Sequence, residues 1–166
     1  MSKLQLTIEP LTQEAFAPYG EVIETEDRDH FLINKDHTKR FHQLANVQLD
    51  EQGQGIISIF EATTYAKPLK IDMMEYHPFG SQAFVPMSEQ PFLLVVAPKG
   101  DSVSVDQLKA FKTNGRQGVN YFAGTWHYPV IALNDGDRFL VVDRTGPGHN
   151  CVEHFFEADQ MPTLLT

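Results

Sequence analysis

The sequence predicts an all-β dominated domain, an antiparallel β-sandwich or barrel with a few short helices. Turn-forming clusters rich in Gly, Asn, Asp and Pro punctuate the chain, for example at residues 99–101, 134–137 and 146–148. Many short strands separated by such turns are typical of antiparallel sheets. The predicted strands cover residues 4–8, 22–23, 47–49, 56–60, 70–75, 82–86, 92–97, 119–121, 130–133, 139–143 and 152–156.

Helical signals are few, which strengthens the all-β prediction. Thr12 is a suitable N-cap for a short helix over residues 12–17, and Glu14 would lie in its first turn. A second helix is predicted over residues 106–111, beginning at Asp106. Both segments are short, so we expect helices to be minor elements of the fold.

Length and charge limit the function classes. We expect a single domain over residues 1–166, because this length buries a sizeable core and no repeat or linker interrupts the composition. The 13 basic and 22 acidic residues give a net charge of -9, and the basic residues are scattered. Nucleic acid is therefore not an expected partner.

Cysteine content and hydropathy indicate the compartment. Cys151 is the only cysteine, so an internal disulfide is impossible and a reducing, cytoplasmic location is expected. The amino terminus has no apolar core of the signal-peptide kind, and the longest apolar run, residues 92–97, is too short to cross a bilayer. We therefore expect no association with a membrane.

Four polar residues mark a candidate site. Glu75 and His77 are two residues apart, a spacing that places both side chains on one face of a strand. Residues 78–80 have turn composition, so Gln82 is predicted to return on the second strand of a hairpin, within reach of His77. His127 follows Gly124 in a second turn-then-strand segment.

Inward-facing polar groups are costly in a small barrel unless they contact a ligand, a metal or each other. This cost favours a functional site. A purely structural alternative remains open, in which Glu75 pairs with Lys70 on a solvated face and Gln82 bonds backbone at a strand edge. Asp143 and Arg144 are expected to form a structural pair with each other.

The four residues resemble the cupin pattern. In that pattern two histidines separated by one residue precede a glutamate on a hairpin, and a later histidine follows a glycine by three positions. Here Glu75 replaces the first histidine and Gln82 replaces the glutamate, while His77 and His127 match the pattern. Three histidines with one glutamate carry one formal negative charge, and so does the present set, so the attraction offered to a divalent ion is retained.

The resemblance becomes specific to one family, the ureidoglycolate lyases, also called ureidoglycolate hydrolases. It rests on the motifs at residues 75–78, 81–87, 108–111, 117–121 and 125–129, with further similarity at 16–23, 33–40 and 139–144. The resemblance implies a cupin-like enzyme of allantoin degradation that cleaves (S)-ureidoglycolate into glyoxylate and urea. It also implies a homodimer and a nickel cofactor.

The chemistry of ureidoglycolate suggests roles for these residues. The compound is a carbinolamine with a carboxylate, so cleavage needs a base for the hydroxyl group and an acid for the departing nitrogen. Glu75 is a candidate base and His127 a candidate acid, with the reverse order also open, and His77 completes the catalytic set. The predicted ligands of a divalent ion, Ni²⁺ by resemblance, are Glu75, His77, Gln82 and His127.

Substrate-binding residues are also expected near the barrel mouth. Residues 24–43 combine charge and histidine densely and suggest a long loop or lid. Within it, Arg40 is our candidate for the substrate carboxylate, because a guanidinium group binds a carboxylate in a bidentate manner. Asn34, Ser81 and Gln82 are candidates for hydrogen bonds to the substrate, including its ureido group.

Two other functions remain open from the spacing of the residues alone. An amidohydrolase acting on the same compound would release ammonia instead of urea. A non-catalytic cupin that binds a small acid for regulation would need the barrel and the arginine, but no acid–base residues.

Overall fold

The computed structural model describes residues 4–166 and confirms an all-β domain with almost no helix. The helical elements are α1, Gln13–Phe16, and a 3₁₀ turn at Val105–Gln107. The strands are β1 Gln5–Leu6, β2 Ile8–Pro10, β3 Gly20–Ile23, β4 Phe31–Ile33, β5 Thr38–Arg40, β6 Gln54–Ala62, β7 Leu69–Lys70, β8 Met73–Tyr76, β9 Gln82–Pro86, β10 Phe92–Ala97, β11 Lys109–Lys112, β12 Gly118–Tyr121, β13 Trp126–His127, β14 Ile131–Ala132, β15 Asp137–Thr145, β16 Val152–Phe155 and β17 Thr163–Leu164.

Two larger sheets form the body of a cupin-like sandwich. One contains five strands in the order β3-β12-β9-β15-β6, all antiparallel. The other contains seven strands in the order β16-β8-β13-β10-β11-β2, with β14 also pairing with β10. Within this second sheet, β2 runs parallel to β11 and the other pairs are antiparallel.

The main core lies between the sheets and follows from the two-residue period of the strands. Phe84, Val119 and Val141 are neighbours in register on the inner face of the five-stranded sheet, and all three are buried. They belong to one apolar cluster with Phe92 and Leu94 of β10. The opposite face of β10 is buried as well, in a second cluster, so this central strand is apolar throughout.

The first predicted helix is confirmed and the second is wrong. Thr12 caps α1 by accepting a hydrogen bond at Oγ1 from the Ala15 N–H, at 3.1 Å. In the second segment only the short turn Val105–Gln107 is helical. Residues from Lys109 onward form β11, because pairing with β10 and burial of Phe111 outweigh the local helical preference.

The segment predicted as a long loop or lid contains a two-stranded arm. β4 and β5 pair only with each other among the described strands, and their residues are exposed except for the half-buried Ile33. Asn34, Lys35 and Asp36 form the tip, all with positive φ. The predicted strand at 47–49 reduces to one isolated bridge, from Leu49 to Gly80.

Within residues 4–166, none of the helices is long and apolar enough to cross a membrane.

Candidate active site

Glu75 and Gln82 lie on neighbouring strands of the chain, but these strands belong to different sheets. β8 pairs with β13 and β16, whereas β9 pairs with β12 and β15, so the predicted hairpin is wrong. The turn at residues 78–80 instead carries the chain from one sheet to the other. The predicted contact nevertheless forms, because His77 Nε2 lies 3.2 Å from Gln82 Oε1.

His127 enters the same space from β13. It lies opposite Glu75 in the strand register, and its Nε2 is 3.7 Å from Glu75 Oε1. The imidazole is stacked on the ring of Tyr121, with centroids 4.5 Å apart and an interplanar angle of 10°. One ligand atom from each of Glu75, His77 and His127 lies within 4.8 Å of the others.

These side chains lie in a cavity of about 660 Å³ that opens between the two sheets at the end of β6. Its volume is suited to a small organic ligand. The cavity is lined by Phe60, Glu61, Ala62, Thr63, Thr64, Tyr65, Glu75, His77, Gln82, Phe84, His127, Pro129 and Val130.

The protonation state of His127 follows from its surroundings. Its Nδ1 lies 3.0 Å from the Thr125 carbonyl oxygen, which can only accept, so the ring proton is on Nδ1. Burial, together with the nearby His77, lowers the pKa of His127 to about 3. The ring is therefore neutral at pH 7, and its buried Nε2 has no hydrogen-bond partner within residues 4–166. Its contact with Glu75 is not an ion pair at this pH.

His77 has the same tautomer. Its Nδ1 donates to the Asn150 carbonyl oxygen at 2.8 Å, so in the neutral ring Nε2 carries a lone pair. The Gln82 amide nitrogen donates to Asp143 Oδ2 at 3.1 Å, which directs Gln82 Oε1 toward His77. With the ring neutral in this tautomer, two acceptors face each other at 3.2 Å, whereas a doubly protonated ring would donate from Nε2 to Gln82 Oε1.

The same opposition of acceptors occurs between Glu75 and His127. Four groups therefore present lone pairs to one small volume, an arrangement that is unfavourable without a proton or a cation between them. Two imidazoles, one carboxylate and one amide oxygen form a mixed nitrogen and oxygen donor set with one negative charge. This set fits a divalent transition metal ion.

Comparison with known proteins identifies the family. A model of the family described as ureidoglycolate lyase matches residues 3–162. The chain belongs to this family. Relatives named ureidoglycolate lyase include those of Pseudomonas entomophila, 55% identical over 160 residues, and Stutzerimonas stutzeri, 56% identical over 160 residues. These alignments cover 96% of this chain, and 96% and 94% of the respective relatives.

The structure brings together only part of the site expected for a ureidoglycolate lyase. Glu75, His77, Gln82 and His127 converge in the cavity. Ser81 is buried, and its Oγ accepts a hydrogen bond from the Gln48 N–H at 2.8 Å. Asn34 and Arg40 lie on the exposed arm. These three residues are not among the described residues that line the cavity.

Two residues near the site were missed by the sequence interpretation. Asp143 was expected to pair with Arg144, but it holds the amide of Gln82 instead. A signal was available, since Asp143 has the same two-residue phase as the core residues Phe139 and Val141. Tyr65 lines the cavity from the loop after β6, and burial followed by the charges of Asp72 and Glu75 raises the pKa of its phenol. Its sequence context carried no comparable signal.

Cys151 is a further neighbour of Glu75. Its thiol donates to Glu75 Oε2 across 3.5 Å, and burial followed by the charge of Glu75 raises the pKa of the thiol to about 11. The protonated thiol is therefore a weak hydrogen-bond donor that helps to hold the carboxylate, and not a nucleophile.

Proposed function

We propose that this chain cleaves (S)-ureidoglycolate to glyoxylate and urea, in the degradation of allantoin and the recovery of purine nitrogen. Family membership supports this assignment. The observation that carries it is the convergence of Glu75, His77, Gln82 and His127, with opposed lone pairs, at one side of a cavity of suitable volume.

The reaction requires one proton to move within the substrate. The bond between carbon and the ureido nitrogen breaks while the hydroxyl oxygen forms the carbonyl of glyoxylate. The hydroxyl proton leaves and a proton joins the nitrogen of the departing urea, so no net proton is consumed. A single carboxylate close to both atoms can perform the two transfers, and such proton transfers typically contribute about 10²–10⁴-fold each.

We assign this proton transfer to Glu75. The acid role first considered for His127 is disfavoured, because neutral His127 holds its proton on Nδ1, bonded to Thr125, and has none to give at Nε2. His77 is arranged similarly, with Nδ1 bonded to Asn150. Both histidines are therefore better suited to bind a metal ion through Nε2 than to donate a proton from it.

We further propose that a divalent ion occupies the site, with nickel favoured by the family resemblance. Glu75, His77, Gln82 and His127 would hold it, and binding through one carboxylate oxygen of Glu75 would leave the other oxygen for the proton transfer. When bound, it would act as a Lewis acid on an oxygen of the substrate. The Nδ1 hydrogen bonds of both histidines to backbone carbonyls are of the kind that orients metal-binding imidazoles.

Tyr65 is our candidate for a direct contact with the substrate. It lines the cavity, and its raised pKa keeps the phenol protonated, so that it can donate to a carboxylate or to the ureido carbonyl oxygen. Gln82 remains a candidate for the ureido group if it is not engaged by a metal ion. Asn34 and Ser81 do not line the cavity, so they could bind the substrate only if it extends beyond the lining residues.

Product analysis tests the proposed reaction. Given (S)-ureidoglycolate, the purified protein should form glyoxylate and urea in equal amounts, with no enzyme-dependent ammonia. The (R) enantiomer and a Glu75→Gln variant are the controls. Stoichiometric ammonia would support the amidohydrolase instead, and binding without turnover would support a regulatory cupin.

We also propose that the protein is a cytoplasmic homodimer. Its single thiol, Cys151, agrees with a reducing compartment. Exposed apolar side chains on β6, described below, support self-association. Sedimentation velocity measures the oligomeric state, and fractionation of the producing cells measures the location.

A further inference from the structure

The cavity has no cationic side chain to meet an anionic substrate. Its lining contains two carboxylates, Glu61 and Glu75, and none of the lining residues within 4–166 is a lysine or arginine. Ureidoglycolate carries a carboxylate, and a carboxylate taken out of water into a negatively charged cavity needs a paired cation. The proposed metal ion is therefore the one cation that a single chain's cavity would offer, and no basic side chain among the lining residues is available to bind the substrate carboxylate.

The arm formed by β4 and β5 is basic and uncovered. Residues 31–40 contain Lys35, Lys39 and Arg40 against the single acid Asp36, in a chain whose net charge is -9. Phe31 and Leu32 on the same arm are each 49% exposed. A two-stranded hairpin is marginally stable in water by itself, so we expect this arm to be covered by another surface.

An uncovered apolar surface is present on the five-stranded sheet. Ile59, Leu140 and Val85 are neighbours across β6, β15 and β9, and Ile57 lies beside Val142 in the next register on the same face. The opposite face of these strands carries the core residues, so these five side chains point away from the body of the domain. Ile57 is 73% exposed and Ile59 is 49% exposed.

This outer sheet face adjoins the cavity. β6 is the edge strand of its sheet, and its last residues, from Phe60 to Ala62, form part of the cavity wall. A molecule seated on the outer sheet face and on the edge of β6 would therefore lie beside the cavity mouth.

We propose that a second copy of this chain covers the outer sheet face and that its arm brings Arg40 to the cavity, so that two subunits build each active site. The inference rests on the proposed cleavage of ureidoglycolate, because it is the substrate carboxylate that Arg40 would bind. A two-fold symmetric dimer uses the same surface on both subunits, so each copy provides an arm and receives one.

Charge complementarity makes a second copy a suitable occupant, because each chain carries both the basic arm and the acidic cavity. The arm has a net charge of +2 from three basic residues and one acidic residue, and the cavity that it would reach contains two carboxylates. A guanidinium group offers a bidentate, charge-assisted contact to the substrate carboxylate. The same contact would remain after loss of the exposed Lys39, which makes Lys39→Gln a control on the same arm.

Subunit complementation tests the inference directly. Arg40→Gln and His77→Ala should each reduce kcat/KM strongly as homodimers, by about 100-fold or more. The mixed dimer is obtained by coexpression with two different affinity tags and purification on both. If Arg40 acts on the partner's cavity, one of the two sites in each mixed dimer has all its residues, and about half of the wild-type activity per dimer returns.

If Arg40 acts within its own chain, neither site of the mixed dimer is complete and activity stays at the level of the parents, which overturns the inference. Full activity of Arg40→Gln, or a monomeric wild-type protein in sedimentation velocity, overturns it as well. Ile57→Asp combined with Ile59→Asp should give folded monomers with low activity, whereas Arg116→Gln, in the exposed turn between β11 and β12 and outside the outer sheet face, should give active dimers.

These outcomes are separable from a failure of the proposed function. If wild-type protein forms no glyoxylate and urea, the proposed reaction is wrong, while sedimentation of the Ile57→Asp, Ile59→Asp variant still tests the dimer surface. If wild-type protein is active and the mixed dimer is not, the reaction stands and the shared site is rejected.

Discussion

Asp143 and Arg144 are adjacent on β15, yet they belong to two polar clusters that differ in how completely their hydrogen bonds are satisfied. Arg144 Nε donates to Asp50 Oδ1 at 2.7 Å, and its Nη2 donates to Asp50 Oδ2 at 3.1 Å and to the Pro147 carbonyl oxygen at 2.8 Å. The guanidinium also lies 5.0 Å from the centre of the Phe79 ring. Every feature of this buried residue indicates a structural role.

The cluster that includes Asp143 is the opposite case. Asp143 Oδ1 and His127 Nε2 are buried and have no hydrogen-bond partner within residues 4–166. In the neutral ring with its proton on Nδ1, His77 also presents a lone pair to Gln82 Oε1. Stable structural networks are satisfied, and polar groups left unsatisfied are retained where a ligand completes them. Hydrogen-bond completeness therefore distinguishes the structural cluster around Arg144 from the candidate site on the same strand.

The largest expected effect is the loss of a metal ligand. His77→Ala and His127→Ala should lose bound metal, and kcat/KM should fall by about 10³-fold or more if metal and proton transfer both depend on the cluster. Metal content by mass spectrometry and kcat/KM on the same preparations are the measurements. Full activity in protein shown to be free of metal would contradict the metal proposal and leave the lyase assignment in place.

Exchanging the amide and the carboxylate between positions 82 and 143, with Gln82→Glu and Asp143→Asn, tests how the Gln82 amide is oriented. In the wild-type protein the Gln82 amide nitrogen lies 3.1 Å from Asp143 Oδ2. Gln82→Glu alone replaces that donor with a second carboxylate oxygen facing Asp143. The resulting repulsion should weaken metal binding by roughly 10–100-fold. Asp143→Asn alone allows the Gln82 amide to turn and should weaken it similarly.

The double variant that combines Gln82→Glu with Asp143→Asn again pairs a hydrogen-bond donor at position 143 with an acceptor at position 82. Metal affinity should then return toward the wild-type value, as measured by equilibrium dialysis. A double variant no better than either single variant would show that Asp143 does not orient Gln82.

Substitution in the structural cluster should reverse the pattern of effects. Arg144→Met should lower the midpoint of thermal unfolding by roughly 5–10 °C, because it leaves the Asp50 carboxylate without its main partner. Metal content and kcat/KM measured below the transition should change little. A large loss of kcat/KM in the folded variant would mean that the two clusters are coupled.

The two clusters should also differ in how acid affects stability, which is the smallest expected effect. The pKa of His127 falls from 6.5 to about 3 on folding, so the unfolded state binds more protons between these values. Metal-free protein should therefore lose stability as pH falls from about 6.5 toward 3, and His127→Gln should reduce that loss.

The hydrogen bond from Arg144 holds the pKa of Asp50 below its ordinary value of 3.8. Its contribution to stability is therefore present above that value and is lost only at lower pH, as Asp50 becomes protonated in the folded state. Unfolding midpoints across this pH range, compared between His127→Gln and Asp50→Asn, separate the two windows. A pH-independent midpoint between 6.5 and 4 in the metal-free protein would contradict the assignment of neutral His127.

Local features were accessible from the sequence. Thr12 caps α1 through a bond to a residue three positions away, and His77 contacts Gln82 across a short turn. The alternation within β9 and β15 and the run of apolar residues in β10 identified those strands, since side-chain periodicity is a property of the segment itself. The four converging residues were identified in the same way, with the help of motifs shared across the family.

Tertiary structure alone decided which strands pair and which polar groups meet. Lys109 to Lys112 became a strand because β10 lies beside it, and β8 separated from β9 because each has better partners in its own sheet. Arg144 bonds Asp50, which is 94 residues away, and not its neighbour Asp143, because adjacent residues of a strand point to opposite faces. Such contacts depend on long-range packing, whose energy is distributed over many residues. A short segment of sequence therefore does not predict them.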